Sequence, residues 1–382
     1  MARLAAGGLL LAIAALSACA APPSPPPNLL AAPGVAQPPP APPARAEPAP
    51  VRVAPSRPAQ LWEFTSLHGV DYVALRDVAA RFELKAAWTK PVRGFSLSDG
   101  RGTRFMFEAN QRDFHFDGLR VFLGAPALLH RDGLWISKLD VFKVVAPLFR
   151  PADHAIFLPA TAPRVIVLDP GHGGIDPGTE NKRVGQNEKT ATLDVAQRLA
   201  KILELRGWRV LLVRTEDKEL SKDKKTDLQL RDDFANRSNA DLFLSIHFNS
   251  APAAITGVET YAMAPQFMLS TGDETGDDMT RVAYPGNRLD YANLLFGEQL
   301  HRGLLAGLKT PDRGFKRARK AVLRMLDCPG ALVECAYLSN DVEARRVAAP
   351  EFRQQIAESL ADGIRNYAAA LAALRPPAAP DK

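Results

Sequence analysis

Two histidines stand where runs of branched apolar residues end. His172 follows Val165–Leu168 across Asp-Pro-Gly in the stretch VIVLDPGHGGIDPG, and His247 closes ADLFLSIH. Apolar runs of this length read as buried strands. In open α/β sheets, ligands gather beyond the carboxyl ends of the strands, so both imidazoles can reach one rim. Neutral imidazole suits zinc, and a catalytic zinc commonly has three protein ligands and one open position. Glu188, in GQNEKT just ahead of a helical pattern, is the carboxylate placed to be the third ligand. Glu334 is the fourth candidate, an ionisable group inside the apolar run ALVEC, where a lone carboxylate is costly unless it is paired or faces a polar cleft. The glycine-rich turn around His172 also invites reading as a phosphate loop. It lacks the Gly-Lys-Ser/Thr ending, and Asp176 and Pro177 break the glycine spacing of a dinucleotide site.

The elements that must position these residues alternate. RVIVLDP, WRVLLVR, ADLFLSIH, GVETYAM, AVLRML and ALVECAYL read as strands. ATLDVAQRLAKILELRG, LQLRDDFANRS, LDYANLLFGEQLHRGLLAGL and a long C-terminal pattern from Pro350 read as helices. This order implies an α/β fold: a mixed, mostly parallel twisted sheet flanked by helices. Upstream, residues 61–160 form a smaller α+β domain. There GVDYVALRDVAARFEL starts as a strand and continues as a helix, with Val73, Leu75, Val78, Ala79 and Phe82 on one apolar side. Its histidines, His68, His115, His130 and His154, are scattered and form no cluster.

The C-terminal half resembles the catalytic domain of the zinc-dependent N-acetylmuramoyl-L-alanine amidases of the Amidase_3 type. The likeness runs in order through IVLDPGHGGIDPGT, the glutamate of NEKT, LQLRDDFAN, ADLFLSIHFNS, GVETY, DRGFKRARKAVLR and ALVECAYLSN, and spans residues 164–375. It implies zinc held by His172, Glu188 and His247, with Glu334 as the catalytic glutamate. The implied reaction splits the amide between N-acetylmuramic acid and the L-alanine of the peptidoglycan stem peptide. Arg231 and Asn249 fall on further motif positions as candidate substrate residues; a packed brace and a turn former are their simpler readings. Phe248 and Cys335-Ala336-Tyr337 depart from the usual pattern without replacing a ligand. A polar insertion, residues 264–288, follows GVETYAM at a place where some family members carry an inhibitory helix. Its Asp273, Glu274, Asp277 and Asp278 offer carboxylates, although a solvated loop is the simpler expectation. The N-terminal pattern, through YVALRDVA, VFLGAPALL and KLDVFKVVAPLF, resembles the N-terminal-like domain of copper amine oxidases. That domain implies no copper and fits an accessory binding or positioning role.

The ends of the chain set its expected surroundings. Residues 1–18 have the layout of a signal peptide, with Arg3, an apolar run too short to span a bilayer, and small residues before Cys19. Leu16-Ser17-Ala18-Cys19 resembles a lipobox, which implies lipidation at Cys19 and a mature protein anchored to a membrane rather than spanning it. Ala20 after the cysteine implies the outer membrane and a periplasmic location. Residues 19–60 are a Pro/Ala-rich linker holding 15 of the chain's 32 prolines, too poor in buriable surface to fold. Cys328 and Cys335 read as small core residues. A net charge of +6 in 382 residues fits work beside an anionic polymer without identifying one. Expected partners are therefore peptidoglycan, a membrane through the lipid anchor, and room for a protein activator, with no nucleic acid. Two rivals stay open: a zinc peptidase acting on free peptides, and a silent wall-binding or regulatory protein on the same fold.

Overall fold

The computed structural model describes residues 62–90, 93–273 and 278–375. The signal peptide, Cys19 and the linker lie outside the described residues. Among the described residues, no helix is long and apolar enough to cross a membrane. The chain begins with β1 (Thr65–Leu67), β2 (Val70–Ala74), α1 (Leu75–Phe82), β3 (Lys85–Lys90), β4 (Gly94–Asp99), β5 (Gly102–Glu108), β6 (Asp113–Phe116), β7 (Leu119–Phe122), β8 (Leu128–His130) and β9 (Gly133–Ser137). Two helical pieces, α2 (Lys138–Asp140) and α3 (Ala146–Phe149), flank a π-helical turn. The C-terminal half adds β10 (Val165–Pro170), a small hairpin β11 (Glu180–Asn181) and β12 (Gln186–Asn187), α4 (Glu188–Leu205), β13 (Arg209–Leu212), α5 (Lys224–Arg237), β14 (Leu242–Asn249) and β15 (Val258–Ala262). It ends with α6 (Asp290–Leu308), β16 (Asp312–Arg317), α7 (Ala321–Arg324), β17 (Gly330–Tyr337), α8 (Asp341–Ala348) and α9 (Pro350–Leu374).

The sheet order β13-β10-β14-β17-β15-β16 is mixed and mostly parallel; only β15 against β17 runs antiparallel. Side chains alternate across it. Ile166, Leu168, Leu244, Ile246, Phe248 and Val333 pack beneath α4, α6 and α9. Val167, Phe243 and Leu332 pack against α5 and α7 on the other face. The expected α/β class, with helices on both faces, is the one observed. AVLRML departs from its expected strand: Ala321–Arg324 is the short helix α7, whose Val322 and Leu323 plug the second core. A four-residue apolar run is too short for its period to separate strand from helix.

The N-terminal strands divide between two sheets: β1-β2-β9-β8 form a four-stranded sheet of their own, and the others join the larger one. β7 pairs parallel with β16 through Phe315 and Val121, so β7-β6-β5-β4-β3 continue the sheet of the C-terminal half to eleven strands. The core follows: Phe105, Phe107, Phe114 and Val121 share one cluster with Ala262, Leu294 and Phe315 of the C-terminal half. Without β7, the β16 edge would leave its backbone groups unpaired. The 264–288 insertion is pinned along this seam. Thr271 N–H donates to the Arg317 carbonyl, and the Arg112 guanidinium donates to the Ser270 and Asp273 carbonyls. Its helical content among the described residues is limited to two short 3₁₀ turns, Asp278–Arg281 and Pro285–Leu289. Glu274 and Asp277 lie outside the described residues.

Candidate metal centre

The parallel register of β10, β14 and β17 brings the chemistry to one rim. β10 ends at Pro170, and the chain then turns through His172 in a left-handed conformation (φ 63°). That region is uncommon for a non-glycine residue and costs about 1–3 kcal/mol unless its surroundings fix it. Here they do. Arg214 donates to the carbonyls of Pro170 and Gly171, and Arg231 donates to those of Pro170 and His172. Arg231 is itself held by Asp169 at 2.7 Å and Asp227 at 2.9 Å, with its side chain 3% exposed. Arg231 thus lies beneath the site with its guanidinium fully engaged. Its place is that of a brace, not of a group facing substrate.

Glu188 is the first residue of α4, set in place by the β11–β12 hairpin and by the Asn187 side chain, which accepts from Thr190 N–H as an N-cap. Its carboxylate is buried and faces both imidazoles. Oε1 lies 3.1 Å from His172 Nε2 and 2.9 Å from His247 Nδ1 and also accepts from Phe248 N–H, while Oε2 accepts from Thr179 N–H. Burial works against its charge, but the hydrogen bonds and charges of the two histidines outweigh it and hold its pKa well below the carboxylate range. Burial likewise opposes the His172 imidazolium, and Glu188 and Asp176 overcome it, raising that pKa. The two rings stand edge to face with centroids 5.0 Å apart. Among the described residues, His172, Glu188 and His247 form the group of possible metal ligands, with ligand atoms all within 4.8 Å of one another. Two imidazoles and one buried carboxylate converging on one rim make a possible metal site.

Two glycines make this convergence possible. A Cβ on Gly171 would stand 2.3 Å from the His247 ring, and one on Gly178 would meet both Glu188 and His172 within 2.7 Å. Alanine at either position would displace a ligand.

Glu334 sits on β17, opposite His247 in register on one side and opposite Glu259 of β15 on the other. Its Oε2 is shielded and has no hydrogen-bond partner. Burial first, then the charges of Glu188 and Glu259, push its pKa well above the ordinary value, against the opposing pull of Lys320 and Lys316. A half-buried carboxyl with one unpartnered oxygen, beside a possible metal site, is poised to hold or receive a proton.

Sequence patterns did not single out the shell around these four. Asp176 Oδ2 holds His172 Nδ1 at 2.9 Å and is itself bonded by Lys224. Its place four residues after the histidine was the only available signal. Glu259 is buried and takes hydrogen bonds from Tyr337 (2.5 Å), Tyr261 (2.6 Å), Lys316 (2.6 Å) and Asn249 (3.0 Å). Asn249 is therefore tied to Glu259 at the end of β14. Cys328 and Cys335 are free and buried.

The N-acetylmuramoyl-L-alanine amidase family model matches residues 166–366, more than half of the chain. The chain belongs to this family. The amidase AmiC of Escherichia coli O6:H1 is 32% identical over 227 residues, covering 54% of this chain and 53% of that protein. The amidase AmiC of Neisseria meningitidis serogroup B is 34% identical over 225 residues, covering 53% and 52%. The chain thus spans about half the length of these curated relatives. A crystal structure of an N-acetylmuramoyl-L-alanine amidase from Clostridium difficile 630 aligns with 54% of this chain and 97% of its own, at 28% identity and a TM-score of 0.44.

Proposed function

We propose that this protein is a peptidoglycan hydrolase that cleaves the amide between the lactyl group of N-acetylmuramic acid and the L-alanine of the stem peptide. The observation that carries the reading is the juxtaposition of the His172–Glu188–His247 donor set with the carboxyl of Glu334, whose Oε2 has no partner, inside the span that matches the amidase family. A zinc ion held by those three residues would lower the pKa of a bound water to roughly 7 and polarise the scissile carbonyl. The remaining work falls to the chain. Glu334 takes the proton of the attacking water and returns it to the departing amine of L-alanine. Its raised pKa suits a group that must alternate between base and acid. Asp176 fixes the ring of His172 through Nδ1, and Arg231 and Arg214 hold the carbonyls of the loop that carries it. Asn249 is tied to Glu259 at the end of β14.

The same reading takes the protein as exported and anchored at Cys19, with the Pro/Ala-rich residues 19–60 as the spacer that lets it reach the wall. Digestion of purified peptidoglycan by wild type and by Glu334→Gln, each with and without chelator, tests the reaction. Wild type should release peptides with a free N-terminal L-alanine, and the variant and the chelated enzyme should not. Release of single amino acids from soluble peptides would point instead to a peptidase. Absence of any product from wild type would favour a silent wall-binding protein.

A further inference from the structure

The face of the sheet that carries Glu334 does not stop at the catalytic half. Register places Glu334 beside Glu259, Tyr261 beside Lys316, Arg120 beside His115, and His115 beside Met106. Paired residues on adjacent strands point to the same side. The β16–β7 seam keeps the phase, because Phe315 and Val121 pair while buried on the opposite face. Lys316 bridges the seam: its ammonium binds Glu259 on one side and lies 5.3 Å from the Phe122 ring of β7 on the other. One floor of side chains thus runs from the candidate metal centre into β5.

Across the seam that floor opens into a cleft with about 460 Å³ of open space, walled by Lys90, Met106, Gln111, His115, Arg120 and Asp312. Its lining contrasts with the reverse side of the same strands. Met106 is 50% exposed and His115 is exposed, whereas Phe105, Phe107, Phe114 and Phe116 are buried beneath them. Pairing of Lys90 with Glu108 and of Arg120 with Asp113 uses up most of the charge. What remains for a ligand is a thioether, an imidazole and a carboxamide, a neutral apolar-and-polar set suited to amide-bearing sugars and peptide backbone more than to a polyanion. Five strand spacings separate β17 from β5, about 24 Å at ~4.8 Å each. A long polymer can bridge that distance, and a single muramoyl-peptide unit cannot.

We infer that this cleft is a second binding site for the glycan–peptide polymer, so that the enzyme grips its substrate at two points along one sheet face. The inference rests on the amidase reading above. Two contacts on one chain raise affinity for the polymer and leave a fragment that reaches only one of them unaffected.

The test uses the full chain carrying Met106→Glu and His115→Glu together, both exposed positions, with the melting temperature as a check on folding. Sedimentation with insoluble peptidoglycan, in a Glu334→Gln background that prevents digestion, reads binding. Hydrolysis of intact sacculi and of a soluble muramoyl-peptide monomer reads catalysis. The expected result is a fall of about tenfold in polymer affinity and in kcat/KM on sacculi, with less than about twofold change on the monomer. Unchanged binding and hydrolysis of sacculi would overturn the second site and leave the amidase reading intact. An equal fall on both substrates would also overturn it, since the loss would then lie in the reaction centre or the fold. If wild type cleaves neither substrate, the amidase reading fails and this inference fails with it.

Discussion

Asp232 offers the most quantitative check on how the floor of the site is built. It lies on α5 beside Arg231 and is 1% exposed, and its Oδ1 is buried without a partner. Burial first, then the nearby charge of Asp169, push its pKa up to about 8, against a weaker pull from the Met325 backbone hydrogen bond. The unfolded chain ionises this group near its ordinary value of 3.8. Between those two values the folded state retains a proton that the unfolded state has lost, so rising pH favours unfolding. Stability from this residue is full below pH ~4, falls as pH climbs toward ~8, and is flat above that. At about 1.36 kcal/mol per pKa unit, the loss between pH 5 and pH 8 has a ceiling of roughly 4 kcal/mol. Asparagine keeps the shape of the protonated side chain and removes the titration. Urea unfolding of wild type and Asp232→Asn at pH 5 and pH 8 isolates the effect, because every other titrating group cancels in the difference. The variant should gain on wild type by a few kcal/mol as pH rises over that interval. A difference that stays constant with pH would refute the burial argument.

Three further outcomes follow from the same geometry. Asp176→Ala frees His172 Nδ1 and should weaken zinc binding by about 10–100-fold, read by competition with a chromophoric chelator. Arg231→Met leaves the buried Asp169 and Asp227 without their ion-pair partner and should cost about 3–5 kcal/mol in urea unfolding. Removing zinc should lower the melting temperature of wild type, because a ligand that binds only the folded state stabilises it, and should leave His247→Ala nearly unmoved.

The fold and the meeting of His172, Glu188, His247 and Glu334 at one rim were legible because each sits at a sharp change of pattern. His172 and His247 stand where apolar strands end, Glu188 where a helix begins, and Glu334 interrupts an apolar run. The supporting shell was not legible. Glu259 occupies an outward-alternating strand position, where a glutamate ordinarily means solvent, and only the approach of Tyr261, Tyr337 and Lys316 buries it. Arg231 matched a motif, but its role under the loop depends on Asp169, 62 positions away in the chain. The joining of the two halves was hidden for a related reason. Phe315 reads as one apolar residue in DRGFKR, and nothing local says that Val121 completes its pairing.

That seam has a consequence for how the protein can be divided. Cutting the chain between residues 160 and 164, at the apparent boundary, would strip β7 from β16 and uncover Phe315, Ala262 and Leu294 together with an unpaired strand edge. Such an edge is a template for adding strands from other molecules. The isolated catalytic half should therefore self-associate. The N-terminal strands act as the cap on an edge that would otherwise stand open.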